Sequence, residues 1–159
     1  MSLEMIPATP ADGAELTEIF YAAFVGDFNR TMFPHTPDVT AWWEQNFHDT
    51  IKRSIATETN EVILKVVDSD QGAIVAFAKW KCPTSADRDR HEHLDMLAVH
   101  PSHQGRGLAS KLLKWGLARA DEEGVEVYLS SSPEGKPVYE KYGFRALESF
   151  SPFPEYVQY

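Results

Sequence analysis

Residues 97–110 read Leu-Ala-Val-His-Pro-Ser-His-Gln-Gly-Arg-Gly-Leu-Ala-Ser, and most of the architecture can be built outward from them. The stretch begins as an apolar strand, turns at Pro101, and opens a helix behind Gly105 and Gly107. Glycines at such a turn remove side-chain bulk, so that backbone N–H groups can close around an anion. The helix N-terminus adds unpaired donors and roughly half a positive charge. The stretch therefore predicts a site for a phosphate or pyrophosphate group.

The charge of the chain is uneven around this turn. The 159 residues carry 15 Lys and Arg against 24 Asp and Glu, which gives a formal net charge of −9. Residues 96–120 nevertheless contain no acidic residue, while they carry the basic residues Arg106, Lys111, Lys114 and Arg119. The acidic whole argues against nucleic acid or an anionic membrane as a partner. The basic window suits a small polyanionic ligand.

Three phosphate-binding patterns compete for the turn. A P-loop needs a Lys-Ser or Lys-Thr pair after its second glycine, where Leu108-Ala109 stands instead. The dinucleotide fingerprint needs a third small residue, which Ser110 partly satisfies, and an acidic residue at the end of the next strand. Glu126 lies inside that strand, so this pattern is disfavoured as well. The turn could also bind no ligand. In that case its glycines would only allow close packing at the start of the helix.

The third pattern includes residues other than glycine. Gln104-x-x-Gly107-x-Ala109 resembles the Q/R-x-x-G-x-G/A signature of the GNAT N-acetyltransferase superfamily, which binds acetyl-CoA. Residues 138–144, Val-Tyr-Glu-Lys-Tyr-Gly-Phe, resemble the second hallmark of the family, an apolar-Tyr-Glu-Lys-x-Gly-Phe segment. With the order of helices and strands given below, the resemblance covers essentially the whole chain.

Hydrophobic periodicity predicts the order β-α-α-β-β-β-α-β-α-β. The predicted strands are Leu3–Ala8, Glu61–Val67, Ala73–Trp80, His93–Val99, Val125–Leu129 and Phe144–Phe150. The predicted helices are a first one that ends at about Phe24, then Val39–Thr57, Leu108–Glu123 and Pro133–Tyr142. We expect residues 27–37 to form a loop and residues 152–159 to add an edge strand.

Length and resemblance together imply one GNAT domain over residues 1–159. The expected fold class is α/β, with a central mixed, mostly antiparallel sheet that is flanked by helices. In the family the fourth and fifth strands splay apart to admit acetyl-CoA. The expected function is transfer of an acetyl group from acetyl-CoA to a primary amine by direct attack. A non-catalytic acyl-CoA-binding module of the same fold and a nucleotide-dependent oxidoreductase are the alternatives.

The resemblance also implies how acetyl-CoA would be held. The backbone of Leu97, Ala98 and Val99 would pair with its pantetheine arm like an added strand. The turn and the helix start would hold the pyrophosphate, through Gln104, Gly105, Arg106, Gly107, Leu108, Ala109 and Ser110. Ser132 stands where many members place an Asn that touches the cofactor. No metal is expected, because His91, His93 and Asp95 within one segment supply too few ligands.

The catalytic expectations rest on two residues. Tyr139 occupies the position of the family's general acid, and a phenol with a pKa near 10 can protonate a departing CoA thiolate. Val127 stands where some members place a basic Glu, so Asp95 is the substitute candidate. On a regular strand it would share a face with His93 and Leu97. A base acting through water, or an Asp95 that is merely solvated or salt-bridged, are the alternatives.

The remaining expectations concern the acceptor and the compartment. Aromatic residues cluster around the first two helices, and one or two are expected at the wall of an acceptor pocket: Phe28, Phe33, Trp42, Trp43 and Phe47. The acceptor would be a small-molecule or peptide amine. With Cys82 as the one cysteine and no targeting segment, we expect a soluble protein in the cytoplasm, with the nucleus as the alternative. Many family members are dimers, so a homodimer is one expectation.

Overall fold

A computed structural model describes residues 2–84 and 86–149. The strands are β1 (Leu3–Pro7), β2 (Glu61–Asp68), β3 (Ala73–Lys81), β4 (His91–Val99) and β5 (Glu126–Leu129). The α-helices are α1 (Gly13–Ala23), α2 (Asp27–Met32), α3 (Pro37–Ile55), α4 (Leu108–Glu123) and α5 (Lys136–Lys141). Short 3₁₀ turns at Pro10–Asp12 and Pro101–His103 lead into α1 and towards α4.

The five strands form one sheet in the order β1-β2-β3-β4-β5. The first four pair antiparallel, and β5 joins β4 in parallel, with α4 as the crossover. Phe77 and Ala98 belong to a core shared with α1 and α3 on one face of the sheet. Trp80 and Leu94 belong to a second core, shared with α4, on the other face. The predicted fold class, a mixed and mostly antiparallel sheet between helices, is confirmed.

Close packing of α4 on the sheet depends on one glycine. A Cβ atom added to Gly116 would overlap the ring of Trp80, which is itself fully buried. The helix can therefore approach the sheet closely only because this position lacks a side chain. This approach fixes the start of α4 relative to the end of β4.

Two irregularities of β4 shape the centre of the molecule. Lys79 of β3 is opposite Met96, whereas the next residue, Trp80, is opposite Leu94. Asp95 is therefore the extra residue of a β-bulge. On the other side, the pairing of β4 with β5 runs from His91 to Leu94 and stops there. Because β5 ends at Leu129, opposite Leu94, while β4 continues to Val99, β4 extends beyond the end of its parallel partner. Whether the two strands splay apart as in the family stays a prediction.

Some predicted boundaries are wrong. Residues 27–37 are not a continuous loop, because α2 forms a short helix within them. The described part of the strand predicted at Phe144–Phe150 is not a strand: Gly143 turns the chain at a φ of 88°, and Phe144 packs its ring against Tyr139. Residue 150 and the predicted edge strand over 152–159 lie outside the described residues.

Within residues 2–84 and 86–149, no helix combines the length and the apolar character that crossing a membrane requires.

Candidate active site

The glycine-rich turn lies between the end of β4 and the start of α4. Gly105 and Gly107 adopt φ angles of 75° and 76°, in the left-handed region that favours glycine. A Cβ atom at either position would meet no atom of the described residues within 4 Å, so among these residues the turn is open on that side. Gly107 is the N-cap of α4, and the N–H groups that follow at Leu108, Ala109 and Ser110 belong to the first turn, where helices lack internal acceptors. This arrangement suits an anion.

Side chains hold the turn against the sheet. The Gln104 side-chain amide donates to the carbonyl of Val99 at 3.2 Å, so this signature residue braces the end of β4. The buried His103 ring contacts the buried carboxylate of Asp68 at 3.1 Å, and this hydrogen bond holds the pKa of Asp68 below its usual range. Arg106 is exposed between the two glycines. The His103–Asp68 contact was not expected from the sequence, because the partners lie thirty-five residues apart.

Directly before this turn, β4 extends beyond the end of β5. Leu97, Ala98 and Val99 pair with β3 on one side, and β5 ends opposite Leu94 on the other. In an antiparallel pair, alternate backbone groups point away from the partner strand. This segment of β4 therefore offers a sheet edge to an extended ligand, and the edge leads into the glycine turn.

Tyr139 lies on the α4 side of the sheet. Its ring packs with the core that contains Leu97 and Leu129, and it meets the ring of Phe144 edge-on with centroids 5.8 Å apart. Burial raises the pKa of the Tyr139 phenol above its ordinary value. The hydroxyl is therefore protonated at neutral pH, as a general acid must be.

Ser132 holds the segment that carries Tyr139. Its hydroxyl oxygen accepts from the N–H of Gly135 at 3.2 Å, and its carbonyl accepts from the N–H of Lys136 at 3.1 Å. Gly135 allows a close fit, since a Cβ atom there would lie 3.2 Å from the Tyr139 ring. Ser132 is exposed, and its contact with a cofactor stays a prediction.

Asp95 is salt-bridged, which agrees with one alternative to its predicted role as a base. One carboxylate oxygen lies 2.7 Å from Nδ1 of His93, and the other lies 3.5 Å from Nζ of Lys79. Asp95 shares a face with His93, but the prediction that Leu97 points the same way is wrong. Leu97 packs into the core on the α4 side, because the bulge at Asp95 shifts the alternation of the strand by one residue.

Comparison with known proteins shows the family. The profile described as "Acetyltransferase (GNAT) domain" matches residues 33–151, which is most of the chain. This chain belongs to the GNAT acetyltransferase family. The match covers both β4 with its glycine turn and the segment around Tyr139, so the two motifs and the fold indicate the same family.

Individual GNAT relatives cover the chain to different extents. An L-methionine sulfoximine/L-methionine sulfone acetyltransferase of Salmonella typhimurium is 29% identical over 125 residues, which make up 77% of this chain and 66% of that protein. An acetyltransferase of Stachybotrys chartarum is 36% identical over 53 residues, 33% of this chain and 23% of that protein. The chain thus spans less than two thirds of the length of either curated relative.

Solved structures share the architecture over nearly the whole length. The "histone acetyltransferase HPA2 and related acetyltransferase" of Corynebacterium glutamicum has a TM-score of 0.70 and 27% identity, covering 97% of this chain and 91% of that one. A predicted acetyltransferase of Clostridium acetobutylicum, solved with acetyl-CoA, has a TM-score of 0.66 and 19% identity over 96% of each chain. The second likeness is one of fold.

Two of the four basic residues in the basic window of this GNAT chain make structural contacts. Arg119 pairs with the buried Glu92 at 3.4 Å and with Glu123 at 3.3 Å, and its guanidinium lies 5.1 Å from the centroid of the Trp115 ring. Nζ of Lys111 donates to the carbonyl of Leu3 at 3.2 Å. These contacts tie α4 to the sheet or stay within the helix. Of the four basic residues, at least these two have structural partners.

Two of the five aromatic residues predicted near the acceptor belong to the core, while Phe28 is 42% exposed. Trp43 and Phe47 are buried between α1, α3 and the sheet, whereas Trp42 is 54% exposed. A cavity of about 180 Å³ opens beside α1 and α2, with Phe33 and Arg30 in its lining. The expectation that one or two of these aromatics line a pocket thus has a candidate in Phe33, and whether an acceptor enters this cavity stays a prediction.

Proposed function

We propose that this chain is an acetyl-CoA-dependent N-acetyltransferase that transfers the acetyl group directly to a primary amine. One observation carries the proposal: the edge of β4 beyond Leu94, which no strand of the described residues pairs on that side, leads through a short 3₁₀ turn into the open glycine turn at the start of α4. An extended arm that ends in a pyrophosphate matches both parts of this surface, whereas a compact nucleotide would leave the edge unused.

In this proposal each part of acetyl-CoA has its own residues. The backbone of Leu97, Ala98 and Val99 pairs with the amides of the pantetheine arm. The N–H groups of the turn and of the helix start bind the pyrophosphate, through Gly105, Arg106, Gly107, Leu108, Ala109 and Ser110, while Gln104 braces the turn and Ser132 supports the far side. Bound in this way, acetyl-CoA supplies an activated acetyl group as a thioester.

The chemistry follows from the geometry around the bulge. The amine nitrogen attacks the thioester carbonyl carbon, and a backbone N–H of β4 near the bulge would stabilise the oxyanion that forms. The C–S bond then breaks, and the Tyr139 hydroxyl gives its proton to the sulfur. The amine must lose a proton for this attack. Asp95 lies on the opposite face from Tyr139, where that proton would be taken up by the carboxylate, by a neighbour or through water.

The acceptor is proposed to be a small-molecule or peptide amine. The acidic balance of the chain outside the basic window favours a cationic acceptor over nucleic acid. The Salmonella relative named above is an acetyltransferase for a small amino-acid analogue, which supports a small acceptor. We place the reaction in the cytoplasm, in keeping with the single cysteine.

A ligand-shift assay tests the cofactor, and thiol release tests the reaction. Acetyl-CoA and CoA should raise the melting temperature, while NAD and ATP should not. With a panel of primary amines, the wild-type protein should release free thiol. Tyr139→Phe should lower kcat by about a hundredfold or more while the Kd of acetyl-CoA stays within about twofold.

Two outcomes would contradict the proposal. If CoA at saturating concentration causes no thermal shift, the cofactor assignment is wrong. If acetyl-CoA binds tightly but no amine yields thiol, the chain is the non-catalytic acyl-CoA-binding module of the same fold.

A further inference from the structure

Four charged or titratable side chains form a continuous chain across one face of the sheet. Glu61 of β2 pairs with Lys79 of β3 at 2.9 Å, and Lys79 pairs with Asp95 of β4 at 3.5 Å. Asp95 in turn contacts Nδ1 of His93 at 2.7 Å. This row of side chains therefore ends on the imidazole of His93, and Glu61, Lys79 and Asp95 each have a neighbour of opposite charge.

The bulge places the end of this row of side chains beside the point where the β4–β5 pairing ends. Asp95 is the extra residue of the bulge. His93 belongs to the second-to-last pair of the β4–β5 ladder, whose last pair is at Leu94. The helices α1 and α3 cover the later part of β4 on this face, where Ala98 is 1% exposed. They do not cover the earlier part, since the His93 side chain remains 36% exposed.

We propose that His93 is the general base that takes the proton from the acceptor amine, and that Asp95 is its positioning residue. The inference rests on the proposed acetyl transfer. With the Nδ1 hydrogen donated to the carboxylate of Asp95, Nε2 keeps its lone pair and points the other way, as a base requires. Lys79 occupies the second carboxylate oxygen, so the carboxylate cannot rotate freely away from the ring.

Other groups also face this imidazole. His91 lies on the same strand with ring centroids 6.4 Å apart, and Tyr128 of β5 and Lys81 of β3 are opposite His93 in the strand registers. His91 differs in its partner, because its Nδ1 contacts the backbone carbonyl of Asp89 at 2.8 Å rather than a carboxylate. It is a nearby imidazole whose Nδ1 contacts a backbone carbonyl instead of a carboxylate, and so a matched control.

The proton balance is as follows. A cationic acceptor R–NH₃⁺ loses one proton to Nε2 of His93 and becomes a nucleophile. The C–N bond forms, the C–S bond breaks, and the Tyr139 phenol protonates the departing sulfur. The second proton, which leaves the nitrogen as the amide forms, restores the phenol. His93 releases its proton to water through its exposed edge, so one acetylated amine, one CoA thiol and one free proton result.

The test compares His93→Gln, Asp95→Asn and the control His91→Gln, with kcat/KM measured from pH 6 to pH 10. At neutral pH, His93→Gln should lose about a hundredfold to ten-thousandfold, in the usual range for a general base. Its deficit should shrink at high pH, where the amine reaches the site already deprotonated. Asp95→Asn should lose at least about tenfold with the same pH trend. His91→Gln should stay within about threefold, and free imidazole should restore part of the activity of His93→Ala.

Structural damage would give a different result. A variant that merely folds poorly loses activity equally at every pH, and imidazole does not restore it. Equal losses for the His93 and His91 variants, or a His93 deficit that is constant with pH, would overturn the assignment while the acetyltransferase proposal stands. If the wild-type protein acetylates no amine, both fall together. Unchanged acetyl-CoA affinity in every variant separates a catalytic loss from a binding loss.

Discussion

A negative charge placed in the glycine turn should abolish acetyl-CoA binding, and α4 supplies its own control for the experiment. Gly107 at the start of the helix and Gly124 at its end both adopt left-handed φ angles, 76° and 65°. At neither position does any atom of residues 2–84 and 86–149 lie within 4 Å of an added Cβ. Gly107→Glu and Gly124→Glu therefore carry a similar backbone strain, about 1–2 kcal/mol in unfolding free energy. They differ in where the carboxylate sits.

The expected loss follows from the charge on the ligand. Two like unit charges about 4 Å apart repel by about 4 kcal/mol at an effective dielectric constant near 20, and each ~1.4 kcal/mol is tenfold in Kd. Because a Glu side chain can swing partly away, we expect Gly107→Glu to weaken CoA binding by about a hundredfold to a thousandfold. The carboxylate of Gly124→Glu would lie about 25 Å away along the helix, beyond a Debye length of about 8 Å, so this variant should bind CoA normally.

Isothermal titration with CoA, alongside thermal unfolding of both variants, checks this reasoning. Gly107→Ala adds the strain without the charge and should lose less than about tenfold in affinity. If Gly107→Glu binds CoA as tightly as Gly124→Glu does, the turn does not hold the phosphates. The cofactor would then have to be sought elsewhere on the sheet.

Three further results are expected, on stability and reactivity. Gly116→Ala should destabilise the protein by about 1–3 kcal/mol, seen as a lower melting temperature, because the added methyl group overlaps Trp80. The pKa of Asp68 is lowered in the folded state, first through the His103 hydrogen bond, so its stabilisation is complete above the unfolded value of 3.8 and is lost as the pH falls below it. Acid unfolding of Asp68→Asn, followed by circular dichroism, should show less pH dependence in that range. Burial, as the main cause, raises the pKa of Cys82 to about 11, so its alkylation at pH 8 should follow global unfolding.

Controls keep these results interpretable. Gly26→Ala, where no atom in the described part of the chain lies within 4 Å of the added Cβ, should cost much less stability than Gly116→Ala. An Asp68→Asn protein whose acid unfolding matches the wild type would show that the carboxylate adds no pH-dependent stability. Rapid alkylation of Cys82 in the native state would mean that the thiol is reached by local opening.

Local sequence signals predicted the parts of the fold that local interactions determine. The bounds of α4 were predicted without error, because left-handed glycines mark both of its ends. The β2–β3 hairpin and the glycine turn likewise lie within short stretches. The helix α2 was missed because six residues that include Asn, Thr and Phe have weak helix propensity.

The part of the site that the sequence could not predict depends on pairing between strands. His93, Leu94 and Asp95 alternate like a regular strand, so nothing in their order reveals the bulge. The bulge arises only when β4 takes its register on β3, where Lys79 meets Asp95. Asp95 was predicted as a base by position, but the imidazole beside it was considered only as a metal ligand. A carboxylate two residues from a histidine on one strand is a local signal that could have indicated the pair.

The early end of β5 has a consequence for the protein without its ligand. A sheet edge is a template for any extended chain, and proteins usually place such edges at the rim and protect them with charges or bulges. Here residues 95–99 form an edge inside the molecule, which begins at the bulge and ends at the prolyl turn. Between these two features the edge can pair with a peptide-like strand of about five residues. A ligand that pairs with this edge completes the sheet and prevents other polypeptide chains from pairing there. The unliganded protein should therefore be the form more prone to aggregate.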